Sequence, residues 1–208
     1  MRSTAAKKKV ALDPADRRKQ ILRAAIEVFA ERGFHKTRIS DIAKKAKVAY
    51  GLIYHYFDSK DHVLSTIFEE SWGVFVKVLR DIAHDSHRSQ ADKLASVSDL
   101  LIGALRHEPA LIQVIIQEVS RSDRLGLGAK VDAFEEAFKI VRGIVHDGQK
   151  KGELSSAVDA QVATYLFFGA LETVCTGVML KKISVKNDAE AEALKKSLRR
   201  ALLEGIKE

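Results

Sequence analysis

Twelve residues, AYGLIYHYFDSK (49–60), gather three tyrosines, a histidine and a phenylalanine into one helix-length run. Phenolic hydroxyls at that density suit hydrogen bonds to phosphate oxygens, and their rings suit packing on sugars or thymine methyls. Lys60 adds a cation for a phosphate. The alternative is that Tyr54 and Tyr56 are half-buried core residues, and Phe57 is read as core outright. Spacings that carry catalysis are missing from the rest of the chain: there is no HExxH, CxxC or GxSxG pattern and no phosphate-binding loop. His84 and His87 stand three apart without acidic or thiol partners in helical register. The expectation is a protein that is not an enzyme and has no metal and no cofactor.

Charge supports a polyanion partner. Residues 1–60 hold 15 Lys and Arg against six Asp and Glu, while the remainder holds 20 against 22. The whole net charge of +7 therefore lies in the first third. A basic module on a near-neutral body fits nucleic acid or an anionic membrane. The single cysteine, Cys175, has no internal disulfide partner, which fits a reducing cytoplasm. Residues 1–12 lack the apolar block of a signal peptide and read as a disordered basic arm.

The elements that position these residues are helical. Two prolines, Pro14 and Pro109, leave long stretches uninterrupted, and no segment alternates as a strand does. Asp13-Pro14 is a helix start, and Ile21, Leu22, Ala25, Ile26, Phe29 and Ala30 recur at helical spacing up to Gly33. A short amphipathic piece with Ile39, Ile42, Ala43 and Ala46 follows. After a break at Lys47-Val48-Ala49 comes Tyr50–Phe57. Two short helices joined by so brief a turn make a helix-turn-helix, whose second helix enters the DNA major groove. Ala43 is small where the helices cross, Val48 plugs the turn and Ile53 faces inward.

Residues 21–64, ILRAAIEVFAERGFHKTRISDIAKKAKVAYGLIYHYFDSKDHVL, resemble the TetR family of bacterial transcriptional repressors. Gly33-Phe34, Thr37, Ile42-Ala43, Val48, Gly51, Tyr54, Phe57 and Lys60 fall at the family spacing. The resemblance implies an all-α protein: a helix-turn-helix DNA-binding domain at 13–58, and a helical ligand-binding and dimerisation domain at 59–208. It implies that Thr37 and Arg38 meet phosphates and that Ala49, Tyr50, Gly51 and Leu52 face the groove. Tyr54, His55 and Tyr56 would touch backbone or bases, and Lys60 would hold a phosphate. Lys47 stands where the family usually has Gly, so a left-handed turn there is strained. Ala49 replaces a Ser or Thr cap, and Leu52 replaces a common Thr.

In the second part, helices are expected at 91–106, 109–120, 128–151, 158–181 and 188–206. Val162–Leu180 is nearly apolar all round. A membrane span of that length would carry Glu172 near its centre, at about 2.5–3.5 kcal/mol. Burial between a subunit's core and a twofold mate is the preferred reading, without stable membrane insertion. Leu166, Gly169, Thr173, Gly177 and Leu180 would form a close seam with the mate, joined by Leu194, Leu198 and Leu202 of the last helix. Glu172 would need a partner wherever it is buried.

Trp72, Phe75, Leu101, Leu105, Val114, Ile115, Phe134, Phe138, Tyr165 and Phe168 are candidate pocket residues; each alone reads as core, and the family resemblance shifts the set towards a pocket. IIQEVSRSDRL (115–125) with FFGALETV (167–174) is similar to repressors of fatty-acid degradation that respond to long-chain acyl-CoA. That likeness would put Arg121 or Arg124 at a CoA phosphate. Glu172 lies between the seam and the cavity side, a pocket candidate that could equally face the interface. Two functions stand open. One is a homodimeric repressor on a palindromic DNA operator, released by a small apolar effector. The other is a helical lipid- or membrane-binding protein using its basic region on anionic headgroups. Salt-sensitive, sequence-specific DNA retention separates them.

Overall fold

The computed structural model describes residues 13–125 and 128–204, with side chains described outside 118–133 and Glu204. Among the described residues all regular structure is helical. The basic arm expected at 1–12 lies outside them.

Helix α1 (Pro14–Arg32) opens with Pro in its first turn and buries Ile21, Leu22, Ala24, Ala25, Val28 and Phe29 along one stripe. Asp13 precedes it, but its side chain makes no capping bond. Gly33 ends the helix at φ 77°, a conformation glycine adopts without a Cβ penalty. Two short helices follow, α2 (Ile39–Ala46) and α3 (Tyr50–Tyr56). The long α4 (Lys60–His84) begins behind Ser59, whose hydroxyl accepts the His62 N–H at 3.0 Å. The chain divides into two compact units, one ending at Ile67 and the next beginning at Phe68. That division falls inside α4, later than the expected Asp58–Ser59 boundary.

The second unit adds α5 (Gln90–His107), α6 (Pro109–Leu125), α7 (Gly128–Lys150), α8 (Ala160–Met179) and α9 (Asp188–Arg199), then a π-helical turn at Arg200–Glu204. Side-chain caps set several starts: Ser89 accepts from Asp92 N–H, Asp159 from Gln161 and Val162 N–H, and Asn187 from Glu190 N–H. Helix α5 is central, packing on α7, α8 and α9. Its Leu94, Val97, Ile102 and Leu105 join Val141, Ile144 and Val145 of α7 and Phe167, Leu171 and Cys175 of α8 in one core. Each such side chain contributes about 1.5–3 kcal/mol by leaving water. Lys93 is buried too, and its ammonium donates to the Ala83 carbonyl at 2.7 Å, tying α5 to the end of α4.

Candidate functional site

The first unit is built so that α3 is held from behind and left open in front. Gln20 of α1 donates to the Ala46 carbonyl at 2.8 Å, and Lys45 pairs with Glu27 at 2.7 Å and Glu31 at 3.4 Å. Arg32 reaches Asp41 at 2.9 Å. Asp41 also accepts the Arg38 N–H at 2.9 Å, and that bond, aided by Arg32, holds its carboxyl below the ordinary carboxylate range. These contacts lock α2 onto α1. Ala43 is buried at the crossing, Ile53 anchors α3 from below, and Phe57 is buried with the Arg18 guanidinium 5.5 Å from its ring. The core reading of Phe57 holds.

The turn between α2 and α3 bends at Lys47, which sits at φ 54° and ψ 44°. This is the left-handed conformation, occupied by a residue with a Cβ. The Val48 N–H then returns to the Ala43 carbonyl at 3.0 Å. Ala49 caps α3 by position only, since it offers no side-chain acceptor to the free N–H groups.

On the front, Tyr50 is 54% exposed and Tyr54 46%. Their rings meet edge-on with centroids 5.4 Å apart, and their hydroxyl oxygens are 3.1 Å apart. The bond from Tyr50 raises the Tyr54 phenol above its ordinary value. Gly51 and His55 are exposed beside them, Leu52 and Tyr56 half-buried. Nothing lies within 4 Å of where a Gly51 Cβ would stand, so a ligand backbone meets no obstacle there. Ala49 and the Arg38 side chain are exposed as well. The face therefore offers hydroxyls, an imidazole, a cation and a bare backbone, all donors to phosphate or base edges.

Two residues expected at phosphates make bonds within the protein. Thr37 is buried, and its hydroxyl donates to the Gly33 carbonyl at 2.8 Å, so that side chain closes the α1–α2 connection. Lys60 is half-buried, and its ammonium donates to the carbonyls of Phe34 at 2.8 Å and Thr37 at 2.9 Å. Spacing alone does not reveal these bonds, because they depend on how the 33–38 segment folds and, for Lys60, on how it lies against the start of α4. The Asp41 bond was legible in principle, since Asp41 stands at the third helical position after Arg38.

In the second unit the candidate pocket residues fall into two aromatic groups. Trp72 stacks on Phe68 with centroids 5.6 Å apart, and Phe134 and Phe75 lie 4.6 and 5.2 Å from it. Phe138 contacts Phe168 at 4.5 Å and Tyr165 at 4.8 Å. Leu101 and Ile115 are half-buried. Leu105 and Val114 are buried. The side chains of Arg121 and Arg124 lie outside the described residues.

Helix α8 has two faces, as its apolar circumference suggested. Ala163, Thr164, Phe167, Leu171 and Cys175 are buried, while Val162, Tyr165, Leu166 and Leu180 are exposed at 51–65%. Gly169, Glu172 and Thr173 lie exposed on the same side. Tyr165 therefore borders the aromatic group and the open face together, and Glu172 belongs to the open face. Two seam residues serve their own subunit instead. A Cβ on Gly177 would stand 2.8 Å from Ile183, and Leu198 is buried against the core with Leu194 and Leu202 packed beside it. The apolar stripe of α9 is largely consumed by α5.

Known proteins share this arrangement. Residues 21–67 match the family described as bacterial regulatory proteins, tetR family, and residues 68–200 match the YsiA-like protein C-terminal region. The fatty acid metabolism regulator protein of Bacillus subtilis (strain 168) is 33% identical over 191 residues, 90% of this chain and 94% of that one. The solved structure of FadR from Bacillus subtilis in complex with stearoyl-CoA superposes with a TM-score of 0.75 at 32% identity, covering 90% of this chain and 98% of that chain. The fatty acid degradation regulator FadR from Bacillus halodurans gives 0.79 at 28% identity, covering 94% and 97%. These relatives lend no support to a headgroup-binding role for the basic region.

Proposed function

We infer the function from one premise: the chain belongs to the TetR family of bacterial regulatory proteins. It is a DNA-binding transcriptional regulator homologous to FadR. We propose that it represses transcription as a cytoplasmic homodimer on a palindromic operator, and that a long-chain acyl-CoA releases it.

The observation that carries the DNA part is the exposed front of α3, where Tyr50, Gly51, Tyr54 and His55 stand clear while Ile53 and Phe57 are buried behind. The open stripe of α8 supports the dimer. Val162, Leu166 and Leu180 are each more than half exposed there, and a twofold mate would cover them. Two recognition helices must then stand about 34–36 Å apart, or a multiple of that, to enter successive major grooves.

The effector reading rests on the relative solved with stearoyl-CoA and on the aromatic groups around Trp72 and Phe138. An acyl chain suits such side chains. The signal would pass along α4, which carries Lys60 in its first turn and Trp72 and Phe75 in its middle. Release needs only that the ligand favour the conformation that does not fit DNA, and tenfold release takes about 1.4 kcal/mol of preference.

The test is to select a duplex from a randomised pool with the purified protein, then titrate stearoyl-CoA, free stearate and CoA alone. Release by stearoyl-CoA only is expected. A selected duplex that none of the three releases would end the effector reading and leave the DNA reading intact.

A further inference from the structure

We propose that Lys60 is a positioning residue for DNA recognition, acting by clamping the α1–α2 connection rather than by holding a phosphate. The inference rests on the DNA-binding reading above. Lys60 is the first residue of α4, yet its side chain turns back to the segment between α1 and α2. Its ammonium donates to the Phe34 carbonyl at 2.8 Å and the Thr37 carbonyl at 2.9 Å, and lies 4.2 Å from the centroid of the Phe34 ring.

An ammonium has three N–H donors, so two are committed and one remains. One acceptor is itself engaged, since the Phe34 carbonyl also takes the Thr37 N–H at 3.2 Å. In the same segment the Thr37 hydroxyl donates to the Gly33 carbonyl at 2.8 Å. Lys60 thus closes a small network that fixes residues 33–37. Arg38, with its exposed side chain, follows at once and precedes α2. Loosening the network shifts Arg38 and the start of α2, and with them the seat of α3.

A compact ammonium fits two carbonyls and a ring face together. A guanidinium is planar and longer, and its fork matches phosphate better than this pair of carbonyls. Lys60→Arg therefore separates clamp from phosphate contact. The experiment compares wild type, Lys60→Arg and Lys60→Met on a duplex selected by the wild type and on a mixed-sequence duplex, between 50 and 200 mM KCl (about the range where counterion release dominates). The clamp predicts that Lys60→Arg keeps the salt slope but loses about tenfold in the ratio of selected to mixed-sequence affinity, as for one charge-assisted hydrogen bond. Lys60→Met should lose at least as much of that ratio.

A Lys60→Arg protein that keeps the ratio within about twofold overturns the proposal, because a phosphate contact survives that change. Should Lys60→Met fail to fold, Lys60→Gln replaces it. Its carboxamide lacks the charge and cannot serve both the Phe34 and Thr37 carbonyls as the ammonium does, so a lowered ratio of selected to mixed-sequence affinity supports the clamp and a ratio within about twofold of wild type opposes it. A wild type that selects no duplex fails the DNA reading itself, which is a different result from either.

Discussion

The hydroxyl oxygens of Tyr50 and Tyr54 stand 3.1 Å apart across one turn of α3, on the exposed face of the helix-turn-helix. At that distance one hydroxyl donates to the other, so the pair offers DNA one free hydroxyl hydrogen rather than two. The edge-on rings, 5.4 Å apart, hold both side chains in that relation.

The two tyrosines should therefore act as a unit. Tyr50→Phe and Tyr54→Phe are each expected to weaken operator binding, and the double variant should fall short of their sum. Residues sharing a hydrogen bond typically couple by about 0.5–3 kcal/mol. A double-mutant cycle on the selected duplex measures this. Strictly additive losses would mean the hydroxyls work separately.

The turn before α3 should be improvable. Lys47 holds a left-handed conformation that costs a residue with a Cβ about 1–2 kcal/mol, part of which Gly would recover. Ala49 leaves the start of α3 uncapped, and Ser there should contribute about 1 kcal/mol. Lys47→Gly and Ala49→Ser are both expected to raise the midpoint of denaturant unfolding. No gain in the double variant would show that α3 is already held fully by Ile53 and Phe57.

Much of this head was legible from residue types. The stripe of α1, the break at Lys47 and the burial of Ile53 and Phe57 follow the apolar spacing of the sequence. Two internal bonds were not legible, for one cause. Thr37 and Lys60 are polar residues near the DNA face, and sequence spacing does not say whether a polar side chain meets solvent or a nearby carbonyl. The same limit applies to Leu198 and Gly177, which an apolar stripe alone cannot assign to the subunit's own core or to a mate.

Gly169 and Gly177 should now part company. Nothing lies within 4 Å of a Cβ at Gly169, so Gly169→Leu leaves the subunit undisturbed and burdens only a mate packed on α8. A weakened dimer with unchanged helix content is expected by sedimentation. Gly177→Leu would collide with Ile183 in its own chain, and overpacking of that kind costs about 1–3 kcal/mol of subunit stability. A Gly169→Leu protein that remains as dimeric as wild type at nanomolar concentration would remove α8 from the proposed interface.

Cys175 should be inert in the folded protein. It is fully buried on α8, and burial pushes its thiol up to about 12, with a smaller contribution from Glu172. Since the thiolate is the reactive form, native protein at pH 8 should resist iodoacetamide while unfolded protein reacts. The neutral thiol favours the fold at neutral pH. That contribution is lost as pH rises from about 9, where an exposed thiol ionises, towards 12. Rapid native labelling would mean that α8 opens on the timescale of the reagent.

The effector and the operator should oppose each other by the same factor. If stearoyl-CoA weakens operator binding tenfold, saturating operator must weaken stearoyl-CoA binding tenfold, because both express one coupling free energy of about 1.4 kcal/mol. The measurement is the affinity for stearoyl-CoA with and without the selected duplex, set against the affinity for the duplex with and without stearoyl-CoA. The aromatic groups around Trp72 and Phe138 supply a control. Phe138→Ala removes the ring between Tyr165 and Phe168, and should weaken the ligand while leaving α3 untouched. In that variant operator affinity without ligand should stay within about twofold of wild type, and more stearoyl-CoA should be needed for release. Equal ligand affinity in the presence and absence of operator would rule out gating by this ligand, even if it binds tightly, since a ligand indifferent to two states cannot shift them.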